Sequence, residues 1–107
     1  MECIVVKLAG VVFENGQENI KKFGCEDINS FALMREPKNP HDPNAIRVHL
    51  AGLFLGYVPR HISKELAPQM DAGKKFIAFF VKLNKHPKHE RIGLTVRIEE
   101  VRCMEAG

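Results

Sequence analysis

Three prolines, Pro37, Pro40 and Pro43, recur at three-residue intervals between two runs that read as β-strands. Each fixes its own φ and disfavours helical backbone at the residue before it. The stretch Arg35-Glu36-Pro37-Lys38-Asn39-Pro40-His41-Asp42-Pro43-Asn44 is therefore a pre-shaped polar loop. On its N-terminal side, Phe31–Met34 enters as a short strand. On the other side, Ile46, Val48 and Leu50 alternate with Arg47 and His49, the two-residue period of a strand with one face buried. Ala51-Gly52 marks a tight turn, and Leu53–Val58 returns as the hairpin partner.

The rest of the chain fits around this hairpin. Cys3–Val12 is rich in Val and Ile and reads as a first strand, broken by the turn residues Phe13-Glu14-Asn15-Gly16. Residues 17–27 are polar and fit a loop or one helical turn. Pro59 stands where an incoming helix tolerates a missing N–H, and Ile62, Leu66 and Met70 follow as an amphipathic stripe. Pro68 falls inside that stripe and predicts a kink or a split; Gly73 predicts the C-terminal cap. Lys74–Leu83 is aromatic and apolar and reads as a buried strand. Leu94, Val96 and Ile98 alternate with Thr95, Arg97 and Glu99 in a last strand. The chain is thus mainly β, with a helical insert after the third or fourth strand. Small antiparallel sheets of this kind close into barrels to remove their edges.

Length and composition bound the function. At 107 residues the chain is read as one domain, residues 1–107. Hydrophobic content of 45% against 27% charged places it among folded globular chains. No apolar run approaches membrane-span length, and Met1 opens straight into strand-like sequence, so neither a membrane segment nor a signal peptide is expected. Three cysteines without a C-x-x-C argue against a disulfide framework and fit a reducing cytoplasm. The net charge of +3 is unevenly spread: residues 1–73 hold 8 Lys and Arg against 9 Asp and Glu, whereas residues 74–107 hold 8 against 4. Lys82, Lys85, Lys88 and Arg91 cluster there with His86 and His89. Such a cluster is either a phosphate-attracting patch or a solvated hairpin tip.

Catalytic chemistry finds little support. Ser30 and Ser63 are the only serines, and neither sits in a glycine-flanked elbow. Cys25 sits in no pattern that suggests a lowered pKa. Glu26-Asp27 and Glu99-Glu100 are adjacent, and neighbours on a strand face opposite ways instead of converging. His86 and His89 lack the further ligands a zinc site needs, and Asp42-Pro43-Asn44 lacks the glycine of a calcium loop. No enzyme activity, metal or cofactor is expected.

Nucleic-acid binding fits better. Phe13 and Tyr57 are candidate stacking surfaces for bases, and Phe54 fits either that role or the core. Asp42 repels a phosphate but accepts a hydrogen bond from a sugar hydroxyl, and Asn39 both donates and accepts. A carboxylate in a nucleic-acid groove suits a free strand end. The same residues also serve as local turn caps.

The pattern R-E-P-x-N-P-x-D-x-N-A-I-x-V over Arg35–Val48, then Gly56-Tyr57-Val58-Pro59, then Leu66-Ala67-Pro68-x-Met70-Asp71, resembles the HIRAN domain. The resemblance runs from Val5 to Val101. It implies a small OB-like β-barrel of about six strands with one or two short helices inserted. It also implies a stand-alone, non-enzymatic module that binds single-stranded DNA and recognises free 3′-hydroxyl ends in DNA repair or replication-fork processing, beside a helicase or nuclease partner. By this resemblance Asn39 and Asp42 hold the terminal nucleotide, and Tyr57 and Phe13 occupy aromatic positions of the site. Lys38, Arg60, Lys82, Lys85, Lys88 and Arg91 are the candidate phosphate contacts. Val12 stands where the family's DNA-end binders carry an arginine, and Glu14 where they carry a second aromatic. Exchanging a guanidinium for an apolar group and adding a carboxylate weakens attraction for a phosphate path. The alternative is a protein-interaction or scaffold domain that retains the fold and has lost DNA-end binding.

Overall fold

The computed structural model of the chain describes residues 3–11, 16–23, 30–86 and 88–101. Among these residues the order is β1 (Ile4–Lys7), α1 (Gly16–Phe23), β2 (Ser30–Arg35), β3 (Ile46–Leu50), β4 (Leu53–Tyr57), α2 (Arg60–Asp71), β5 (Lys75–His86) and β6 (His89–Val101). The strands form one antiparallel sheet in the order β1-β6-β5-β2-β3-β4.

The sheet curls until its two outer strands meet. The Leu8 N–H bonds to the Leu94 carbonyl (2.9 Å), so the backbone groups of the next residue, Ala9, point the other way. There the Ala9 N–H donates to the Tyr57 carbonyl (2.8 Å) and the Tyr57 N–H donates back (2.7 Å). This pair joins the extension of β1 to β4 and gives the barrel-like closure expected of the sequence. Gly56 permits it: a Cβ there would lie 3.0 Å from the Ala9 carbonyl oxygen and from a Val11 methyl.

The inward faces supply the core. Val6, Leu8, Phe31, Ile46, Val48, Leu55, Leu94, Val96 and Ile98 are all buried, with Leu66 and Ala67 from α2 and Ile20 from α1. Burying an aliphatic or aromatic side chain of this size stabilises the fold by about 1.5–3 kcal/mol.

β1 ends at Lys7, shorter than the Cys3–Val12 strand expected, and three further local features differ from the sequence reading. Residues 16–23 form a two-turn helix where a loop or single turn was expected. Its polar residues act as strand partners: Gln17 Nε2 donates to the Ile92 carbonyl (2.7 Å) while its Oε1 accepts the Ile92 N–H (2.8 Å). Asn19 Nδ2 donates to the Phe54 carbonyl (2.7 Å). Edge groups of β6 and β4 that would lack ladder partners are thereby satisfied.

The second difference is α2, which runs through Pro68 as one element. The missing N–H frees the carbonyl of Lys64; both residues lie on the exposed side, where water can take its place. The helix ends in a Schellman arrangement. Gly73, at φ +104, donates to the Met70 carbonyl, and Lys74 donates to that of Gln69, both at 3.0 Å. Gly73 therefore follows the cap residue, Ala72.

The third difference is the length of β5 and β6. They extend to His86 and from His89, so Lys85, like Lys82, belongs to a strand and not to a loop tip. The turn at Ala51-Gly52 has positive φ at both residues (50° and 83°), the primed geometry that suits a two-residue hairpin.

Candidate nucleic-acid interface

The proline-rich loop is closed at its neck by the Glu36 N–H donating to the Ala45 carbonyl (2.9 Å). Inside it, Asn39 Oδ1 accepts the N–H groups of His41 (2.8 Å) and Asp42 (3.1 Å). Asp42 Oδ1 accepts the Asn44 N–H (2.9 Å), and the Asp42 carbonyl accepts the Ala45 N–H (3.0 Å). Both side chains thus perform the turn-capping role the sequence left open. Each keeps one polar atom beyond it. Asn39 Nδ2 donates to Glu36 Oε1 (2.9 Å), and Asp42 Oδ2 lies 3.8 Å from Arg60 Nε.

Glu36 connects the loop to the sheet. Its Oε1 also accepts the Tyr57 hydroxyl (2.9 Å), and its Oε2 accepts the Arg47 guanidinium (2.9 Å). Arg47 and Tyr57 are cross-strand neighbours on β3 and β4. The guanidinium lies 4.8 Å above the Phe54 ring, and Phe54 meets Tyr57 edge-on with centroids 5.2 Å apart. Burial pushes the Glu36 carboxyl upward, but the hydrogen bonds from Asn39, Tyr57 and Arg47 outweigh it and hold the group below its ordinary range.

A cleft of about 540 Å³ opens beside this cluster, lined by Ala9, Gly10, Asn39, His41, Asp42, Ala45, Tyr57, Val58 and Arg60. Arg60 begins α2 and also reaches the His41 carbonyl (3.2 Å). Of the residues singled out in the sequence, Asn39, Asp42, Tyr57 and Arg60 come together here. Lys38 is exposed on the loop but does not line the cleft. Lys82 and Lys85 are exposed on β5, and Lys88 is exposed beside the turn to β6. Phe54 is buried and belongs to the core alternative. Phe13, with its neighbours Val12 and Glu14, lies outside the described residues, as do Cys25, Glu26, Asp27 and the side chains of His86, His89 and Arg91.

Sequence reasoning missed Glu36 and Arg47 behind the cleft, and Ala9, Gly10 and His41 along it. The positions of Arg47 and Tyr57 on facing strands gave a partial clue, since both fall on the side opposite the core. Nothing in periodicity marked Glu36.

The family model of the HIRAN domain matches residues 1–101, and the chain belongs to this family of DNA-binding domains. The crystal structure of the HIRAN domain of human HLTF superposes with a TM-score of 0.68 at 19% identity, covering 92% of this chain and 74% of that one. The crystal structure of a protein from Lactobacillus plantarum gives 0.65 at 21% identity, covering 92% and 97%. At these identities the likeness is one of fold. A Fanconi-associated nuclease 1 homolog of Oryza sativa subsp. japonica is 48% identical over 65 residues, 57% of this chain and 6% of that protein. The chain therefore spans only a small part of that relative. Among the described residues no helix is long and apolar enough to cross a membrane.

Proposed function

We propose that residues 1–107 form one non-enzymatic module that binds single-stranded DNA and takes a free 3′-hydroxyl end in the cleft. The observation that carries this reading is the hydrogen-bonding inventory of Asn39 and Asp42. The Asn39 carbonyl oxygen is occupied by two backbone N–H groups, so that residue offers the cleft an amide N–H. Asp42 has one oxygen occupied by the Asn44 N–H, and the other, 3.8 Å from Arg60 Nε, keeps room to accept. A hydroxyl satisfies both by accepting from one and donating to the other. A terminal phosphate has only acceptors at neutral pH and meets a carboxylate of like charge.

The surroundings support the same ligand. The Arg60 side chain is 75% exposed and suits a phosphodiester one step back from the end. Tyr57 offers a ring for a base, with Phe13 in the same role. Lys38, Lys82, Lys85, Lys88 and Arg91 supply non-specific phosphate attraction. The described lining contains no Ser, Thr or Cys, a poor set for nucleophilic chemistry. We place the module in the cytoplasm, in DNA repair or fork processing, beside a helicase or nuclease partner. The nuclease name of the rice relative favours the second of these.

A scaffold role draws on the exposed Val5 and Met34, 60% and 54% accessible. These stand on β1 and β2, with β6 and β5 between them. Arg97 separates Val5 from Phe79 across the sheet, stacks over Phe79 at 5.1 Å and pairs with Glu99. A charged side chain within the apolar surface makes a poor docking patch, so strand binding is the better reading.

The test is a fluorescence-anisotropy titration of labelled single strands ending in 3′-hydroxyl or 3′-phosphate, at low and moderate salt. Tighter, salt-sensitive binding of the hydroxyl end is expected. Absence of binding to either strand at low salt would overturn the proposal and turn attention to protein partners.

A further inference from the structure

Glu36 stands behind the cleft without lining it, and its side chain is only 21% exposed. We infer that Glu36 is the positioning residue of the cleft: its single carboxylate fixes both the Asn39 amide and the Tyr57 ring. Ligand affinity then depends on a group that touches no ligand. This inference rests on the strand-end reading of the cleft.

The argument begins with the amide. The two ends of an Asn amide have nearly the same shape, so its orientation is set by its partners. A carboxylate only accepts. With Glu36 Oε1 at 2.9 Å, Asn39 must present nitrogen there, because the flipped amide would set oxygen against oxygen. The flipped amide would also lose the N–H groups of His41 and Asp42. Glu36 thereby keeps Asn39 a donor in the cleft.

The same oxygen holds the Tyr57 hydroxyl, which spends its proton inward and leaves the ring pinned between Glu36 and the edge of Phe54. Arg47 on the other carboxylate oxygen balances the charge, so the cluster adds little repulsion to an incoming anion. Groups held in place before binding lose less freedom on binding, which raises affinity without a new contact.

The chain carries its own probe. Tyr57 is its single tyrosine and there is no tryptophan, so intrinsic emission reports this one ring. A phenol hydrogen-bonded to a carboxylate emits weakly, because the excited phenol passes its proton toward that base. The experiment compares the parent, Glu36→Gln, Tyr57→Phe and Asp42→Ala, well below their melting temperatures. Emission of the free proteins is recorded, and affinity for 3′-hydroxyl single strands is titrated.

Glu36→Gln is expected to brighten Tyr57 and to weaken binding about tenfold, with Tyr57→Phe weakening it about threefold. A purely structural Glu36 would lower the melting temperature and leave low-temperature affinity unchanged even as loss of its carboxylate brightens Tyr57, and that result overturns the inference. Weakening by Asp42→Ala with parent-like binding by Glu36→Gln would also overturn it, while the strand-end reading stands. Should Glu36→Gln fail to fold, parent-like affinity of Tyr57→Phe serves as the overturning result. If the parent binds no strand, the strand-end reading fails and takes the affinity claim with it.

Discussion

The proline-rich loop and the β5–β6 hairpin carry the two halves of the candidate interface, and they are built in opposite ways. In the loop, Glu36, Asn39 and Asp42 are tied to backbone and to one another, and their donors and acceptors point in fixed directions. On the hairpin, Lys82 and Lys85 stand exposed between two register shifts of the β5–β6 ladder, with the Asn84–Thr95 side-chain bond (2.7 Å) as local polar order. Fixed donors and acceptors can tell one chemical group from another. Exposed ammonium groups on flexible stems respond to the number of phosphates and to salt. On the proposed reading, specificity belongs to the loop and general attraction to the hairpin.

The hardest way to break this division is to open the loop side without touching a lysine. A Cβ at Gly56 meets the Ala9 carbonyl and Val11 at 3.0 Å and Leu8 at 3.2 Å. Gly56→Ala should therefore destabilise the fold by about 1–3 kcal/mol and loosen the Ala9–Tyr57 pair that borders the cleft. Thermal unfolding measures the first effect and strand titration the second. A parent-like melting temperature would show that the closure tolerates a wider spacing.

Next in size is Asp42→Ala. Loss of the acceptor should weaken binding of 3′-hydroxyl strands by about tenfold, while 3′-phosphate strands bind no worse because a repelling charge is gone. Equal losses on both ends would mean that Asp42 acts only as the cap of the Asn44 turn.

Much of the fold was legible because one face of each strand is buried. Ile46, Val48 and Leu50, and again Leu94, Val96 and Ile98, announce their strands by alternation alone. Asn39 and Asp42 were legible as site candidates from residue chemistry, and the cleft does bring them beside Tyr57 and Arg60. The closure of the barrel was legible only as a general expectation. The pair that makes it, Ala9 with Tyr57, is backbone to backbone and leaves no side-chain trace in the sequence. Gln17 and Asn19 misled in the other direction. Polar amides usually mark loops, but here they replace missing strand partners from within a helix. Glu36 was illegible because its three partners come from Asn39, Arg47 and Tyr57, positions that only the folded hairpin makes neighbours.

The hairpin half predicts a smaller and different effect. Lys82→Ala and Lys85→Ala should each weaken both strand types alike and flatten the dependence of log affinity on log salt by about 0.7. Titration across a salt series measures that slope. A change in the preference for the hydroxyl end would break the division, since it would place a lysine in the specificity-bearing part.

The smallest effect is expected where the loop's entry strand meets the end of α2. Arg35 makes a two-bonded pair with Asp71 (3.0 and 3.1 Å) and donates to the Ala45 carbonyl at the loop neck (2.9 Å). The Arg35 hydrogen bond draws the Asp71 carboxyl below its ordinary value of 3.8, against a weaker upward push from desolvation. A lowered carboxylate pKa stabilises the fold above the unfolded-state value, and that contribution is lost as pH falls through the folded-state value. Asp71→Asn should therefore lower the melting temperature slightly at neutral pH, with parent and variant converging below pH 3.8. The effect is small because Asp71 is exposed and water screens the pair. Strand affinity should not change, because Arg35 keeps its bond to Ala45 and the loop neck stays closed. A measurable loss of end preference in Asp71→Asn would instead mean that the end of α2 helps set the shape of the loop, extending the rigid half of the molecule beyond the Glu36 cluster.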